Sequence, residues 1–364
     1  MGHKVTIFES LPVAGGMLSV GIPEYRLPKK ILNKEIEYIR DLGVEIKLNT
    51  PIGERLTINN LLKGGYKAVF IAVGAHKTLK LNIPGEDLKG IYPGVEFLRK
   101  ANLGNKMKLK GKVVVIGGGN VAIDAARVSL RLGADKVQIL YRRTRDEMPA
   151  EEEEIEEAER EGLEIKYLTI PVEITGDNGK VKKIICQKMK LAEFDKSGRR
   201  RPIPQEGSDF EIDADIVIPA IGQLTDLSFI QKDDGFNITK RGIFVVDKGT
   251  LSTNKEGIFA GGDVAGTATV IDAISHGIKS ASSIDKYLGG SGVISEKVRK
   301  EAMVDLIPFD LEAEIEEKKQ IKSPTLPVGK RVKNFREVEK GYTKELAIEE
   351  ANRCLHCDRT LEEG

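Results

Sequence analysis

The sequence predicts an α/β fold with two Rossmann-like dinucleotide-binding domains. Near the start, an apolar strand over 5–9 ends in an acid. From Lys112, a strand, a glycine-rich turn, a helix and a second strand follow in order, which is one complete βαβ unit. A third apolar strand, over 258–260, leads directly into Gly261 and Gly262. Glycine makes up 38 of the 364 residues, above the usual share of roughly 7%.

The composition argues against several classes of protein. The 57 basic and 56 acidic side chains leave a net charge of +1, so neither nucleic acid nor an anionic membrane is expected as a partner. No stretch approaches the roughly 18 apolar residues of a membrane-spanning helix, and the start does not read as a secretory signal. Three cysteines do not make a disulfide framework. We therefore expect a cytoplasmic protein.

The first part of the chain predicts half of a nucleotide-binding domain. After the strand over 5–9, a loop rich in glycine and proline leads to an amphipathic helix over 29–43. A strand over 44–50 follows. The continuous apolar run over 66–75 predicts a strand that is buried on both faces. Residues 81–97 contain several prolines and glycines, so we expect a linker there.

The motif after the strand at Lys112 predicts a dinucleotide site. Gly117 suits the tight turn, Gly119 allows close approach of a pyrophosphate, and Ala122 allows close packing of helix on strand. The pyrophosphate would lie on the free N–H groups of the helix that starts near Asn120. The alternative is a glycine turn that serves packing alone. The candidate residues are Gly117, Gly118, Gly119, Asn120, Val121 and Ala122.

The loop after the second strand of this unit favours NADP over NAD. An acid at that position would bind the ribose 2′-hydroxyl, whereas this chain has Arg142 and Arg143. Guanidinium groups form charge-assisted bonds to a 2′-phosphate. The alternative is a solvated basic loop.

The acidic run over 151–161 predicts a solvated helix face and not a metal site, because the carboxylates are consecutive and Ile155 and Ala158 supply an apolar stripe. Strands with a turn at 176–179 follow, then a buried strand that ends at Gly222. Cys186 lies in one of these strands and is expected to be a packed thiol. Beyond Gly290 the composition predicts an extended tail with a helical end.

The beginning of the chain and a later segment suit a second nucleotide. Glu9, at the end of its strand, is placed to bind an adenosine ribose, and Gly15 and Gly16 permit close approach of a ligand. Asp263 would accept a hydrogen bond from a sugar-like hydroxyl. The helix that begins near Thr269 would point its N-terminus at a developing negative charge. Taken alone, Glu9 could equally be a surface acid.

In this order the motifs resemble the flavoproteins with two dinucleotide-binding domains. GIPEYRLPK, YRRTRDEMPA and EEANRCLHC resemble the NADPH-dependent glutamate synthase small (beta) subunit group. That group includes the large subunit of NADH-dependent ferredoxin:NADP oxidoreductase and related domains of dihydropyrimidine dehydrogenase. The resemblance implies a glutathione-reductase-like architecture, with FAD in the first domain and NADP(H) in the second.

The resemblance also implies an electron-input subunit. Hydride would pass from NADPH to FAD, and electrons would leave through iron–sulfur clusters to a larger synthase or a ferredoxin-type acceptor. The cofactors carry this chemistry, so no catalytic acid or base is expected. By family position, Glu9 would hold the FAD ribose and Asp263 the ribitol–phosphate region. The other cofactor-binding candidates that the resemblance places near the two dinucleotides are Gly15, Gly16, Met17, Gly74, Gly222, Gly262, Thr269 and Val270.

The chain departs from the family at its start. The family's first strand and G-x-G-x-x-G turn, and its N-terminal iron–sulfur domain, are not found, so the FAD domain is expected to be truncated and discontinuous. The expected division is 1–105 and 225–290 for FAD, 106–224 for NADP and 291–364 for the tail. The alternative function is a non-catalytic NADP-binding fragment, or a subunit whose FAD site is completed by a separate chain.

The last motif is a bare C-x-x-C formed by Cys354 and Cys357. A [4Fe–4S] cluster needs four ligands, and a zinc site also needs further partners. The pair is therefore either half of a metal site that absent sequence completes, or two thiols at a helix end.

Overall fold

The computed structural model describes residues 1–105, 107–195, 198–294 and 318–354. The helices in these ranges are α1 (Gly16–Val20), α2 (Lys29–Asp41), α3 (Ile58–Lys63), α4 (Gly94–Asn102), α5 (Asn120–Arg131), α6 (Glu152–Arg160), α7 (Val270–Tyr287), α8 (Val328–Arg331) and α9 (Lys344–Ala351). The strands are β1 (Thr6–Phe8), β2 (Glu45–Lys47), β3 (Val69–Ile71), β4 (Lys77–Thr78), β5 (Lys112–Ile116), β6 (Lys136–Leu140), β7 (Glu164–Lys166), β8 (Thr169–Asp177), β9 (Lys180–Phe194), β10 (Arg200–Pro204), β11 (Phe210–Asp213), β12 (Ile216–Pro219), β13 (Gln223–Leu224) and β14 (Ile258–Ala260).

A parallel four-stranded sheet, in the order β12-β5-β6-β7, forms the centre of the fold. The alternation of side chains along β5 explains how both of its faces are covered. Val113 and Val115 pack with the apolar residues of α4, α5 and α6. Val114 and Ile116 point the other way and pack against a second sheet. The predicted βαβ unit is therefore confirmed, with α5 as its crossover helix.

The second sheet is antiparallel and consists of β8, β9, β10 and β11. β8 and β9 form a hairpin in which Asp177 pairs with Lys180. Its two turn residues, Asn178 and Gly179, have φ of 50° and 74°, which is the left-handed backbone that Asn-Gly hairpins require. The predicted turn is confirmed, whereas β10 and β11 were not expected.

The first part of the chain and the segment around β14 form two separate parallel pairs. β1 pairs with β2, and β3 pairs with β14. In the described residues, no strand pairs with the second edge of β1 or of β3. Only Ile71 of β3 is buried, while Val69 and Phe70 are partly exposed. The expectation that this strand is buried on both faces is therefore wrong, because β3 has a strand neighbour on one side alone.

The expected linker over 81–97 contains the start of a helix. Pro93 is the N-cap of α4, with φ of −52°, and the helix begins at Gly94. A Cβ atom on Gly94 would lie 3.1 Å from the Cβ of Ala220. Proline and glycine here start a helix and allow it to pack closely on the sheet.

The segment 318–354 is also more ordered than the expected extended tail. Thr325 and Glu339 form an antiparallel bridge, and the N–H of Leu326 donates to the carbonyl of Val338 at 2.8 Å. Phe335 and Val338 pack against the core of the parallel sheet. This segment is therefore part of the folded unit.

Two further features bear on the sequence-based expectations. Cys186 is fully buried in β9, and burial raises the pKa of its thiol to about 12, as expected of a packed thiol. No helix within the described ranges has the length and apolar character needed to cross a membrane.

Candidate functional site

The glycine turn between β5 and α5 is fixed by close contacts on two of its residues. Gly117 has φ of 148°, and a Cβ atom there would lie 2.3 Å from the carbonyl oxygen of Ala220 in the neighbouring strand segment. A Cβ atom on Gly118 would lie 2.4 Å from the ring of Tyr141. Neither position admits a side chain, so the turn lies directly against the ends of β12 and β6.

The turn leaves four backbone donors available. In the described chain, the N–H groups of Gly118, Gly119, Asn120 and Val121 have no hydrogen-bond acceptor; we call them the amide cluster. They precede and begin α5, whose dipole places partial positive charge at this end. Gly119 has φ of −95°, and a Cβ atom there would meet only Pro149, at 3.8 Å. The amide cluster therefore offers four donors to an anionic group, and the pyrophosphate role of these residues stays a prediction.

Neighbouring segments hold the turn in place. The N–H of Ala150 donates to the carbonyl of Gly118 at 3.2 Å, and the N–H of Glu151 donates to Oδ1 of Asn120 at 3.2 Å. Ala122 is fully buried under Gly117. The Asn120 side chain is thus used to anchor the start of the acidic segment, while its N–H belongs to the amide cluster.

The two arginines after β6 lie in different environments. Arg143 is buried, and its guanidinium donates to Oδ2 of Asp195 and to the carbonyl of Arg200, both at 2.7 Å. Arg142 is exposed, and no ion pair to it is found within the described ranges. Partial desolvation, followed by the positive charges of Arg143 and Arg199, lowers the pKa of Arg142. An exposed guanidinium among like charges suits an anionic ligand.

The structure brings Gly74 and Asp263 together. β3 and β14 are parallel and in register, so the segments that follow them meet at one edge. A Cβ atom on Gly74 would lie 3.9 Å from Oδ2 of Asp263. Burial raises the pKa of Asp263, and a hydrogen bond from the backbone of Ala75 partly opposes this. Next to it, the N–H of Gly262 donates to Nδ1 of His276 at 3.1 Å, a contact that the sequence did not indicate.

Glu9 and the glycine pair lie on other segments. Oε1 of Glu9 accepts the N–H of Leu11 at 2.8 Å, which fixes the carboxylate and leaves its other oxygen available. Gly15 has φ of 103° and caps α1, which begins with Gly16 and Met17. In the described residues no hydrogen bond or ion pair joins these groups to Asp263. Gly222 lies just after β12, and its carbonyl accepts the N–H of Leu79 at 3.0 Å.

The N-terminus of α7 is where the sequence predicted it. Thr269 is the N-cap, and its Oγ accepts the N–H of Asp272 at 3.1 Å. Val270 follows and is half exposed. Asp272 places a carboxylate in the first turn, so part of the positive potential of this helix end is already neutralised. A cavity of about 870 Å³ runs along α7, lined by Phe259, Ile274 and their neighbours, and apart from the predicted cofactor residues.

One group of charged residues was missed or misjudged from the sequence. The acidic run was expected to be a solvated helix face. Instead, Glu154 and Glu157 of α6 and its C-cap residue Glu161 form ion pairs with arginine side chains of other segments. Burial alone would raise the pKa of Glu161, but hydrogen bonds from Arg131 and Arg127 outweigh it and lower the pKa to about 2. The members of this charged cluster are Arg26, Asp124, Arg127, Arg131, Glu154, Glu157, Glu161 and Arg331. The signal was present as charges three or four residues apart on α5 and α6.

The C-x-x-C motif gives little structural information. Cys354 is exposed just after α9, and Cys357 lies outside the described residues. In the described ranges no three His, Cys, Asp or Glu side chains are grouped so that they could hold a metal ion. Both hypotheses for this motif, half of a metal site and two thiols at a helix end, therefore stay predictions.

A family model for pyridine nucleotide-disulphide oxidoreductases matches residues 1–281 of this chain, which include both halves of the site. The chain belongs to that family. Its members are NAD(P)H-dependent flavoprotein oxidoreductases, which confirms the class of enzyme that the motifs predicted.

Comparison with individual proteins shows which members of the family this chain resembles. The chain is 47% identical over 98% of its length to the NADP(+)-dependent formate dehydrogenase subunit beta of Moorella thermoacetica, and 37% identical over 98% to the NADPH-Fe(3+) oxidoreductase subunit beta of Geobacter sulfurreducens. It spans 52% and 58% of those proteins. It is 33% identical over 79% of its length to the glutamate synthase [NADPH] small chain of Escherichia coli, of which it covers 64%. The expected resemblance to the glutamate synthase small subunit is thus confirmed.

Solved structures agree on the fold. FprA from Mycobacterium tuberculosis (His57Gln mutant) superposes with a TM-score of 0.67 at 22% identity, over 79% of this chain and 78% of that one. The thioredoxin reductase of T. acidophilum superposes with a TM-score of 0.57 at 23% identity, over 79% of this chain and 91% of that one. These superpositions confirm the predicted α/β fold.

Replacing Gly119 by Ala should separate ligand binding from folding. The added methyl has room in the protein but lies where a pyrophosphate must approach the amide cluster. We expect the free energy of unfolding, from urea titration, to fall by about 1 kcal/mol or less. The Kd for NADP+, from a fluorescence titration, should rise by about tenfold or more.

Gly117→Ala is the matched control for this experiment. Its methyl would collide with the carbonyl of Ala220 at a positive φ, so it should destabilise the fold by about 3 kcal/mol or more. The assignment is wrong if Gly119→Ala binds NADP+ as tightly as the unmodified chain, or unfolds as readily as Gly117→Ala.

Proposed function

We propose that this chain is the electron-input part of an NADPH:FAD oxidoreductase that supplies a partner protein. The observation that carries the proposal is the amide cluster at the start of α5 with the exposed Arg142 beside it. These groups offer four N–H donors and one guanidinium to a dinucleotide that bears a pyrophosphate and a further phosphate.

We assign the 2′-phosphate of NADPH to Arg142 and not to Arg143. The Arg143 guanidinium already has two partners and is buried, so its part is to hold the hairpin of β9 and β10 against the loop. Arg145 is likewise engaged, by Glu152 and Glu159 at 2.6 Å each. Arg142 is the arginine of this loop that is exposed and has no ion pair in the described chain.

We call residues 1–105 and 225–290 the flavin half and residues 106–224 the NADP half. The flavin half contributes Glu9, Gly15–Met17 and the Gly74–Asp263 contact. When bound there, FAD would supply the acceptor for a hydride and would release electrons singly. The available oxygen of Glu9 suits a ribose hydroxyl, and Asp263 suits a ribitol hydroxyl or a phosphate-bound water. The residues of this chain act by binding and orientation, because hydride transfer requires no side-chain acid or base.

The flavin half also supports a proposal about what completes it. β1 and β3 each have one edge without a partner strand in the described chain. The apolar face of α7 is open next to them, with Ile271 79% and Ile274 60% exposed. We infer that a strand, glycine turn and helix from outside the described residues fill this place, from the same polypeptide or from another one. Electrons would then pass through iron–sulfur clusters to a synthase-type or ferredoxin-type partner.

A second candidate function rests on the same open edges. If the completing segment belongs to a separate chain, this protein by itself would bind NADP(H) and transfer no hydride. It would then be an NADP-binding subunit whose redox activity exists in the complex alone.

One experiment tests the proposed function and separates these candidates. Purified chain, with and without a strand–glycine turn–helix segment fused before Met1, is incubated with FAD under anaerobic conditions and mixed with NADPH. We expect both forms to bind NADPH, and the completed form to hold FAD and lose its 450 nm absorbance on reduction. Retained but unreduced FAD in the completed form would contradict the electron-input proposal and favour a subunit that binds NADP(H) and needs more of a partner chain than this segment for hydride transfer. Failure to bind either dinucleotide would refute the proposal.

The assignment of Arg142 makes a prediction about cofactor choice. Arg142→Ala should raise the Kd for NADPH by about tenfold or more, because a charge-assisted hydrogen bond contributes roughly 1.5–3 kcal/mol. The Kd for NADH, which lacks the 2′-phosphate, should change by less than about twofold. Arg145→Ala is the control from the same loop and should leave both Kd values nearly unchanged. Equal losses for NADPH and NADH in Arg142→Ala would contradict the assignment.

A further inference from the structure

The charged cluster joins the loop of the flavin half to the helix of the NADP half. Arg26 lies in the loop after α1, and Asp124 lies on α5, one helical turn beyond Asn120. The Arg26 guanidinium contacts Oδ2 of Asp124 at 2.9 Å and Oε1 of Glu154 at 3.0 Å. One arginine of the flavin half therefore connects to both α5 and α6.

Tyr25 makes a second connection at the same place. Its ring is 1% exposed and lies under two guanidinium groups of α5, with the Cζ atoms of Arg131 and Arg127 at 4.0 and 4.8 Å from the ring centroid. A cation that lies over the face of an aromatic ring is attracted by the ring, and the attraction is stronger where water is excluded. The Tyr25 hydroxyl donates to Oδ1 of Asp124 at 3.3 Å. The Asp124 carboxylate thus receives one contact on each oxygen from adjacent residues of the loop.

The loop itself is fixed to the segment that carries the predicted flavin neighbours. The N–H groups of Arg26 and Leu27 both donate to the carbonyl of Pro23 at 3.0 Å. The Lys29 ammonium donates to the carbonyls of Leu18 and Ile22, at 2.8 and 2.6 Å. Leu18 belongs to α1, which begins with Gly16 and Met17. A displacement of the loop from α5 would therefore move α1 as well.

The segment 318–354 also contacts the loop and the charged cluster. The N–H of Val338 donates to the carbonyl of Tyr25 at 3.0 Å. The fully buried Arg331 pairs with Glu157, and its Nε lies 3.0 Å from Oε1 of Glu161. The loop is held between α5, α6 and this segment.

A contribution to the free energy of unfolding does not by itself explain why a carboxylate is buried at Asp124. Burial raises its pKa to about 6, and the nearby Arg26 opposes this only in part. Buried ion pairs are often no more stabilising than apolar residues of equal volume, and one of their best-attested uses is to fix one arrangement among several. The other charged groups that face Asp124 are Glu154 of α6, Arg127 of α5 and Lys29.

We propose that Asp124 is a positioning residue, which holds the loop of Tyr25 and Arg26 on α5 and so sets the placement of α1 relative to the amide cluster. The inference rests on the proposed function, because the placement of α1 would affect hydride transfer only if the two halves bind FAD and NADPH. Asp124 touches neither dinucleotide in this account. Its effect passes through Arg26 and Tyr25, the two loop residues that contact its carboxylate oxygens.

The test uses Asp124→Asn in the full chain carrying the fused completing segment, with three measurements. Hydrogen exchange of the Arg26 and Leu27 amides should become about tenfold faster, as expected when a charge-assisted contact is lost. The rate constant of flavin reduction at saturating NADPH should fall by about tenfold, while the Kd for NADPH changes by less than about twofold. Glu153→Gln, which removes an exposed charge of α6 that has no partner in the described residues, should match the unmodified protein in all three.

A second pair of variants keeps the test decisive if Asp124→Asn does not fold. The Arg26 side chain is 24% exposed, so its replacement is tolerated more easily. Arg26→Gln should reproduce the faster exchange and slower reduction, and Arg26→Lys should restore at least half of the loss. Unchanged exchange and unchanged reduction in Arg26→Gln would overturn the proposal, as would a Kd that rises in step with the loss of rate. If the unmodified completed protein is not reduced by NADPH, the proposed function fails, and amide exchange alone then decides the role of Asp124.

Discussion

The close contact between Gly117 and the carbonyl of Ala220 is the constraint on which the rest of the site depends. It allows β5 to turn into α5 at the point where the neighbouring strand β12 ends, so the first N–H groups of α5 remain without acceptors. Ala122 is buried directly beneath the turn, which fixes the angle of the helix on the sheet. The same helix then presents Asp124, Arg127 and Arg131 to the loop of Tyr25 and Arg26. One backbone contact thus determines the position of both the amide cluster and the charged cluster.

The residues that we propose to hold FAD are organised differently, because they come from distant segments of the chain. β3 and β14 bring Gly74 and Asp263 together, while β1 presents Glu9 on a separate pair of strands. Backbone pairing joins the first part of the chain to the residues around the glycine turn, through the strands β4 and β13 and the bridge between Ile91 and Val217. The charged cluster, Tyr25 and the segment that bears Arg331 and Val338 add further contacts. Relatives that this chain resembles carry names of beta or small subunits, and in the described residues Ile271 and Ile274 of α7 are exposed.

Local signals in the sequence were sufficient for some of this architecture. The glycine motif predicted α5 and its free N–H groups, and Asn178-Gly179 predicted the hairpin of β8 and β9, because both depend on the backbone conformations of glycine. Long-range pairing was not predictable. The charge spacing on α5 and α6 is visible in the sequence, but it does not identify Arg131 and Arg331 as the partners of Glu161. In the same way, nothing near Arg143 in the sequence identifies Asp195 as its partner. β10 and β11 were missed because their polar sequences form strands only when β9 lies beside them.

The most direct test of the account is the amide NMR response to the dinucleotide. In ¹⁵N-labelled chain, NADP+ and NAD+ should both shift the amide signals of Gly118, Gly119, Asn120 and Val121, because both ligands carry the pyrophosphate. The Nε signal of Arg142 should shift with NADP+ alone. Shifts confined to the segments of Glu9 and Asp263, with the four amides of α5 unchanged, would contradict the assignment of this helix as the NADP(H) site.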